Sequence, residues 1–108
     1  MYEFKENVLN VNGKELLCEN KIEKVVEFNN LYIVFMMENQ IPRNNIFALN
    51  EDGNIIWNIG DIIHLSVPES YVTLRKMNEN EIKVISASGI KWYINVFSKE
   101  IVNKQISK

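Results

Sequence analysis

The segment from Asn45 to Trp57 constrains the fold more than any other part of the chain. Ile46-Phe47-Ala48-Leu49-Asn50 and Asn54-Ile55-Ile56-Trp57 read as two short strands, with Glu51-Asp52-Gly53 as the turn between them. The chain repeats this shape twice. Upstream, Val8-Leu9-Asn10-Val11 and Lys14-Glu15-Leu16-Leu17 flank Asn12-Gly13, the dipeptide most favoured in tight hairpins. Downstream, Tyr93-Ile94-Asn95 and Glu100-Ile101-Val102 form a weaker copy. A β-hairpin that returns every few tens of residues marks a repeat architecture, in which each unit buries its apolar face against a neighbour.

The rest of the chain is written in the same code. Residues 22–28 are rich in β-branched side chains, and Asn29-Asn30 supplies a turn, because Asn tolerates positive φ. Residues 31–37 are apolar at both strand parities, as in a strand covered on both faces. Residues 38–45 form a loop, where Pro42 cannot donate a ladder hydrogen bond. Residues 59–70 are the least regular and read as a long connection with a short strand at 62–65. Strand character resumes at Tyr71-Val72-Thr73-Leu74, and Ile82, Val84 and Ser86 alternate with Lys83 and Ile85 as in a half-buried strand. Apolar residues do not hold helical spacing for more than about a turn anywhere, so no long helix is expected.

An offset of 46 residues sets Val26 on Val72, Phe47 on Tyr93 and Ile55-Ile56 on Ile101-Val102. Residues 22–58 and 69–106 then read as two four-strand units. Residues 8–18 read as the last half of a third, with Leu9 on Leu49 and Gly13 on Gly53. The expectation is one all-β domain over residues 1–108, an antiparallel meander of about ten short strands. Units of ~40 to 45 residues have the size of propeller blades.

The hairpin resembles the blade motif of quinoprotein-like β-propellers, an aromatic-Ala-Leu-Asp strand, a Gly turn and an apolar pair ending in Trp. Phe47-Ala48-Leu49-Asn50, Gly53 and Ile55-Ile56-Trp57 carry the resemblance; the third copy has Lys99 where Gly would stand. The resemblance implies a partial propeller of about two and a half blades, or a sandwich of the same stacked sheets. Closed propellers take about four to eight blades, so this chain cannot close a ring alone. No quinoprotein cofactor site or activity carries over, and no cofactor is expected.

Little in the composition points to chemistry. His64 is the only histidine, which excludes paired catalytic histidines and multi-histidine metal sites. Cys18 is the only cysteine; beside Leu16-Leu17 it reads as a strand thiol rather than a nucleophile, and a chain without disulfides suits a reducing cytoplasm. No basic segment followed by an apolar run opens the chain, and no apolar stretch approaches the roughly 20 residues of a membrane helix. The carboxylates are scattered, with Glu51-Asp52 and Glu79/Glu81 at turns. Trp57 and Trp92 read as core residues. An enzyme is not expected, and neither is a metal.

With 14 acids against 12 bases, the surface is mildly acidic, which argues against direct nucleic-acid binding and suits a basic protein partner. In a meander, alternate loops share a rim. One rim gathers Glu19, Glu38, Asp61, His64 and Glu69 with Lys21 and Arg43. Glu19, Glu38, Arg43, Asp61, His64 and Glu69 are the candidate partner-binding residues, since long loops on a rigid scaffold carry binding. In size, charge and lack of catalytic motifs the chain is similar to immunity proteins of bacterial contact-dependent growth inhibition systems. That similarity implies a cytoplasmic inhibitor, a monomer or weak homodimer, that occludes a basic, nuclease-type toxin. The alternative reading is an assembly module that oligomerises through open sheet edges.

Overall fold

The computed structural model describes residues 1–37, 45–65, 67 and 69–106. It is all-β. Among the described residues, eleven antiparallel strands form three sheets, each a meander in chain order. The first sheet holds β1 (Tyr2–Lys5), β2 (Val8–Val11) and β3 (Lys14–Leu17). The second holds β4 (Ile22–Phe28), β5 (Leu31–Met36), β6 (Ile46–Asn50) and β7 (Ile55–Asn58). The third holds β8 (Tyr71–Lys76), β9 (Glu81–Ser86), β10 (Ile90–Asn95) and β11 (Glu100–Ile106).

The first unit is therefore larger than its sequence suggests. It starts at Tyr2 rather than residue 8, because β1 pairs with β2 from Tyr2↔Val11 to Lys5↔Val8. The turn between them puts Glu6 at φ 55°, a conformation that its sequence does not advertise. The strand expected at residues 62–65 is absent. A 3-10 turn at Ile59–Asp61 leads instead into Ile62 and Ile63, both buried.

Two cores separate the three sheets. Leu9 and Val11 of the first sheet pack on Tyr32, Val34, Phe47 and Leu49 of the second. The opposite face of the second sheet sends Ile33, Phe35, Ala48 and Trp57 against Leu74, Val84, Trp92 and Ile94 of the third. Strand parity divides these sets cleanly, since successive side chains point to opposite faces. All six residues of β5 are buried, so the double-sided apolar strand is the middle of the stack. Among the described residues no further sheet covers the far faces of the first and third sheets, and the sheets do not close into a ring.

The second and third sheets are the same structure built twice. Val25 pairs with Val34 where Leu74 pairs with Val84, and Tyr32 pairs with Leu49 where Ile82 pairs with Ile94. The ladder breaks also correspond. β4 slips between Ile22 and Lys24, β8 between Tyr71 and Thr73, β6 between Ala48 and Leu49, and β10 between Tyr93 and Ile94. A single offset of 46 residues holds only from the last turn onward. Val26 is buried whereas Val72 is 43% exposed, and Trp92 rather than Tyr93 takes the place of Phe47. Connections of unequal length shift each earlier strand by its own amount. The turn alignment survives: Gly53 has φ 80° and Lys99, in its place, φ 64°.

Candidate functional site

The loops between β3 and β4, β7 and β8, and β9 and β10 fall on one rim, joined by the β1–β2 turn. Backbone hydrogen bonds link them in sequence. Ile22 N donates to Glu6 O (2.7 Å), Met37 N to Lys21 O (2.8 Å), and Ala87 N to Ser70 O (2.9 Å). Lys21 and Glu6, both exposed, form an ion pair at 3.6 Å across the first part of the rim. At such exposure a pair contributes little, about 0 to 1 kcal/mol.

The expected site residues divide by role. Glu38 and Arg43 lie outside the described residues. Asp61 Oδ2 accepts a hydrogen bond from Asn58 N (3.0 Å) and closes the 3-10 turn. Glu69 holds the β9–β10 turn, with Oε1 accepting from Ser88 N (2.6 Å) and Oε2 from Ser88 Oγ (3.0 Å). Asp61 and Glu69 thus shape the rim as internal acceptors. Glu19 and His64 are exposed on it.

The rim is tied to the core by Asn45, the last residue of the loop that the sequence predicts at 38–45. Its side chain is buried. Nδ2 donates to Met36 O (3.0 Å) and Tyr71 O (2.9 Å), and Oδ1 accepts from Tyr71 N (2.9 Å). One amide thereby joins the second sheet to the third where buried backbone would otherwise lack partners. Burial, reinforced by the charge of Glu69, pushes the Tyr71 phenol up to about 12.

Beside Glu19 the first two sheets part to form a cleft of about 240 Å³. Leu16, Leu17, Cys18, Glu19, Phe47 and Ile55 contribute to its wall. Leu17 is 73% exposed and Ile55 53% exposed, so the lip is apolar. Cys18 is buried, and burial pushes its thiol pKa up, so little thiolate exists at neutral pH. The sequence did hold a signal for this surface. Two adjacent apolar residues on an edge strand cannot both face a core covered on one side only. Leu16-Leu17, Ile55-Ile56 and Ile101-Val102 are such pairs, and Leu17 and all four of the latter residues are exposed.

This arrangement offers apolar contact, exposed carboxylate acceptors and unpaired strand edges. Among the described residues, no three His, Cys, Asp or Glu side chains cluster to hold a metal, and no helix is long and apolar enough to cross a membrane. A family model described as Domain of unknown function (DUF7957) matches residues 1–106. No curated protein and no solved structure matches the chain.

Proposed function

The chain belongs to the DUF7957 family, and we propose that it is a non-enzymatic protein-binding domain, an immunity protein that neutralises a basic, nuclease-type bacterial toxin in the cytoplasm by covering its active site. The observation that carries this reading is the apolar cleft at Leu17 and Ile55 with the exposed Glu19 at its lip. Apolar anchors bordered by charge are the anatomy of a protein interface. The charge of the surrounding half agrees. Residues 1–65 carry ten acids and five bases, a net charge of -5, whereas residues 66–108 carry four acids and seven bases, a net charge of +3. An acidic surface speeds encounter with a cationic toxin and disfavours neutral competitors.

The test is titration calorimetry against the C-terminal domain of a secreted protein encoded beside this chain. Ile55→Asp and Glu19→Lys should each weaken binding about tenfold or more, the former by spoiling an apolar contact and the latter by reversing a complementary charge. Wild-type affinity in both variants would remove the cleft from the interface. Failure of the wild-type chain to bind any such domain would end the immunity reading.

One observation favours assembly through sheet edges as a second reading. Strand β11 is seven residues long and exposed throughout, with Ile101, Val102 and Ile106 uncovered. Long apolar edges template pairing with another chain. Light scattering on an Ile101→Lys/Val102→Pro variant separates this from toxin binding, since only edge pairing needs that strand.

A further inference from the structure

The two open faces of the stack carry opposite charge. On the first sheet, Leu9 and Val11 point to the core, so Glu3, Asn10 and Glu15, paired in one row across the three strands, point away from it. On the third sheet, Ile82, Val84 and Ile94 point to the core. Arg75, Lys83 and Tyr93 form one outward row, and Lys91 lies beside Ile85 in the next. Among the described residues, no carboxylate stands within ion-pair distance of Arg75, Lys83 or Lys91.

We propose that the basic face of the third sheet receives the acidic face of the first sheet of a second copy, so that two chains close head to tail into one ring of six sheets. Three observations on the molecule support the second copy as the occupant. The charges are complementary between faces of the same chain and repulsive between like faces, so a head-to-tail contact is favoured over a face-to-face one. The chain already stacks sheet on sheet twice in one sense, and the Asn12-Gly13 turn lies on the same rim as the Glu51–Gly53 turn, joined by Asn12 Nδ2 to Glu51 O (3.0 Å). Continuing in that sense sets the Glu3 row, near that rim, against Arg75 and Lys83, and sets Val8, one row further in, against Ile85. Finally, three sheets are too few for a propeller, while two copies supply six, within the usual range of about four to eight.

A head-to-tail contact closes into a ring where the rotation per copy allows and otherwise grows without end, and the count of six sheets favours closure on the second copy. Among the described residues, Lys5, in the row of Val8, is the one cation on the acidic face, and Glu81 and Glu100 sit at the turn end of the basic one. Neither reverses the balance. Unlike edge pairing through β11, this contact uses sheet faces and is set by charge. Leu17 borders both this contact and the toxin cleft, so the two surfaces are tested with different residues.

Sedimentation of the full chain at about 20 mM and about 1 M salt tests the proposal, because exposed charges are screened within about 3 Å at the higher salt. The expected result is twice the chain mass at low salt and the chain mass at high salt. Lys83→Glu with Lys91→Glu should weaken the dimer about tenfold or more, and Glu3→Lys with Glu15→Lys should do the same. An equimolar mixture of the two variants should recover it, since each then offers the face that the other lacks. Circular dichroism checks that both variants fold. A wild-type monomer at low salt, a dimer indifferent to salt and to both reversals, or a mass that rises with concentration past two chains would each overturn the proposal. None of the four substituted residues lines the cleft, so toxin binding is scored separately.

Discussion

The second and third sheets share a ladder, bulge for bulge, but live in different surroundings. The second has a sheet on each side; the third has one. Their central strands show the consequence. In β5, Leu31-Tyr32-Ile33-Val34-Phe35-Met36, every residue is buried. In β9, Glu81-Ile82-Lys83-Val84-Ile85-Ser86, buried and half-buried residues alternate. The backbone is indifferent to this choice, because both strands satisfy their hydrogen bonds within the sheet. Side-chain composition alone decides how many neighbours a sheet accepts. Within one chain the third sheet ends the stack, and its outer face is polar and basic where that of the second is apolar. The first is finished in the same way with the opposite charge.

The largest test of this contrast lies at Trp57 and its counterpart in the third sheet. Trp57 fills the core between the second and third sheets and donates Nε1 to Val96 O (3.1 Å). Asn103, paired with Tyr93 as Trp57 is with Ala48, is exposed. In about 1 M salt, where the proposed contact between copies is screened, Trp57→Ala should cost about 4 kcal/mol in urea unfolding, and Asn103→Ala no more than about 0.5 kcal/mol. Equal costs there would mean that the outer face of the third sheet is covered by something other than a salt-sensitive second copy.

Asn45 comes next. Asn45→Ala strands the Tyr71 N–H and leaves the Met36 and Tyr71 carbonyls short of a donor, a loss of about 2 to 3 kcal/mol. If the junction of the two sheets rested on apolar packing alone, the variant would unfold at the wild-type urea concentration.

The Tyr71 phenol gives a pH test. Folded Tyr71 holds its proton up to about pH 12, whereas the unfolded residue releases it near 10. The folded state therefore binds more protons between those values, and stability should fall as pH rises through that window. Its hydroxyl has no hydrogen-bond partner among the described residues. Tyr71→Phe should then be near neutral at pH 7 and should lose this part of the alkaline destabilisation. A steeper alkaline slope in the variant would contradict the burial argument.

The paired turns differ by less than the sheet junction does. Gly53 holds φ 80° without strain, and Lys99 holds φ 64° at a cost that only glycine escapes. Lys99→Gly should raise stability by about 1 kcal/mol, and Gly53→Ala should lower it by a similar amount. Chemical denaturation of the two variants compares the turns directly.

Much of the fold was legible because it is local. Asn12-Gly13, Asn29-Asn30 and Glu51-Asp52-Gly53 announce their turns through positive φ, and alternation or its absence in β9 and β5 announces one covered face or two. β1 escaped because its turn is made by Glu6, a residue with no reputation for φ > 0. The candidate site was less legible. Asp61 and Glu69 stand on the expected rim, but their oxygens are engaged internally, which no spacing reveals. The cleft at Leu17 and Ile55 needs two edge strands from different sheets to diverge.

The chain's strands, turns and repeat are properties of short stretches, since the pleat and the left-handed turn act over a few residues. Stacking is different. That Asn45 joins two sheets, that Val72 is exposed while Val26 is buried, and that acids and bases collect on opposite ends of the stack depend on register across connections of unequal length. A shift of one residue turns a side chain to the other face, so only the packed sheets decide which residues meet.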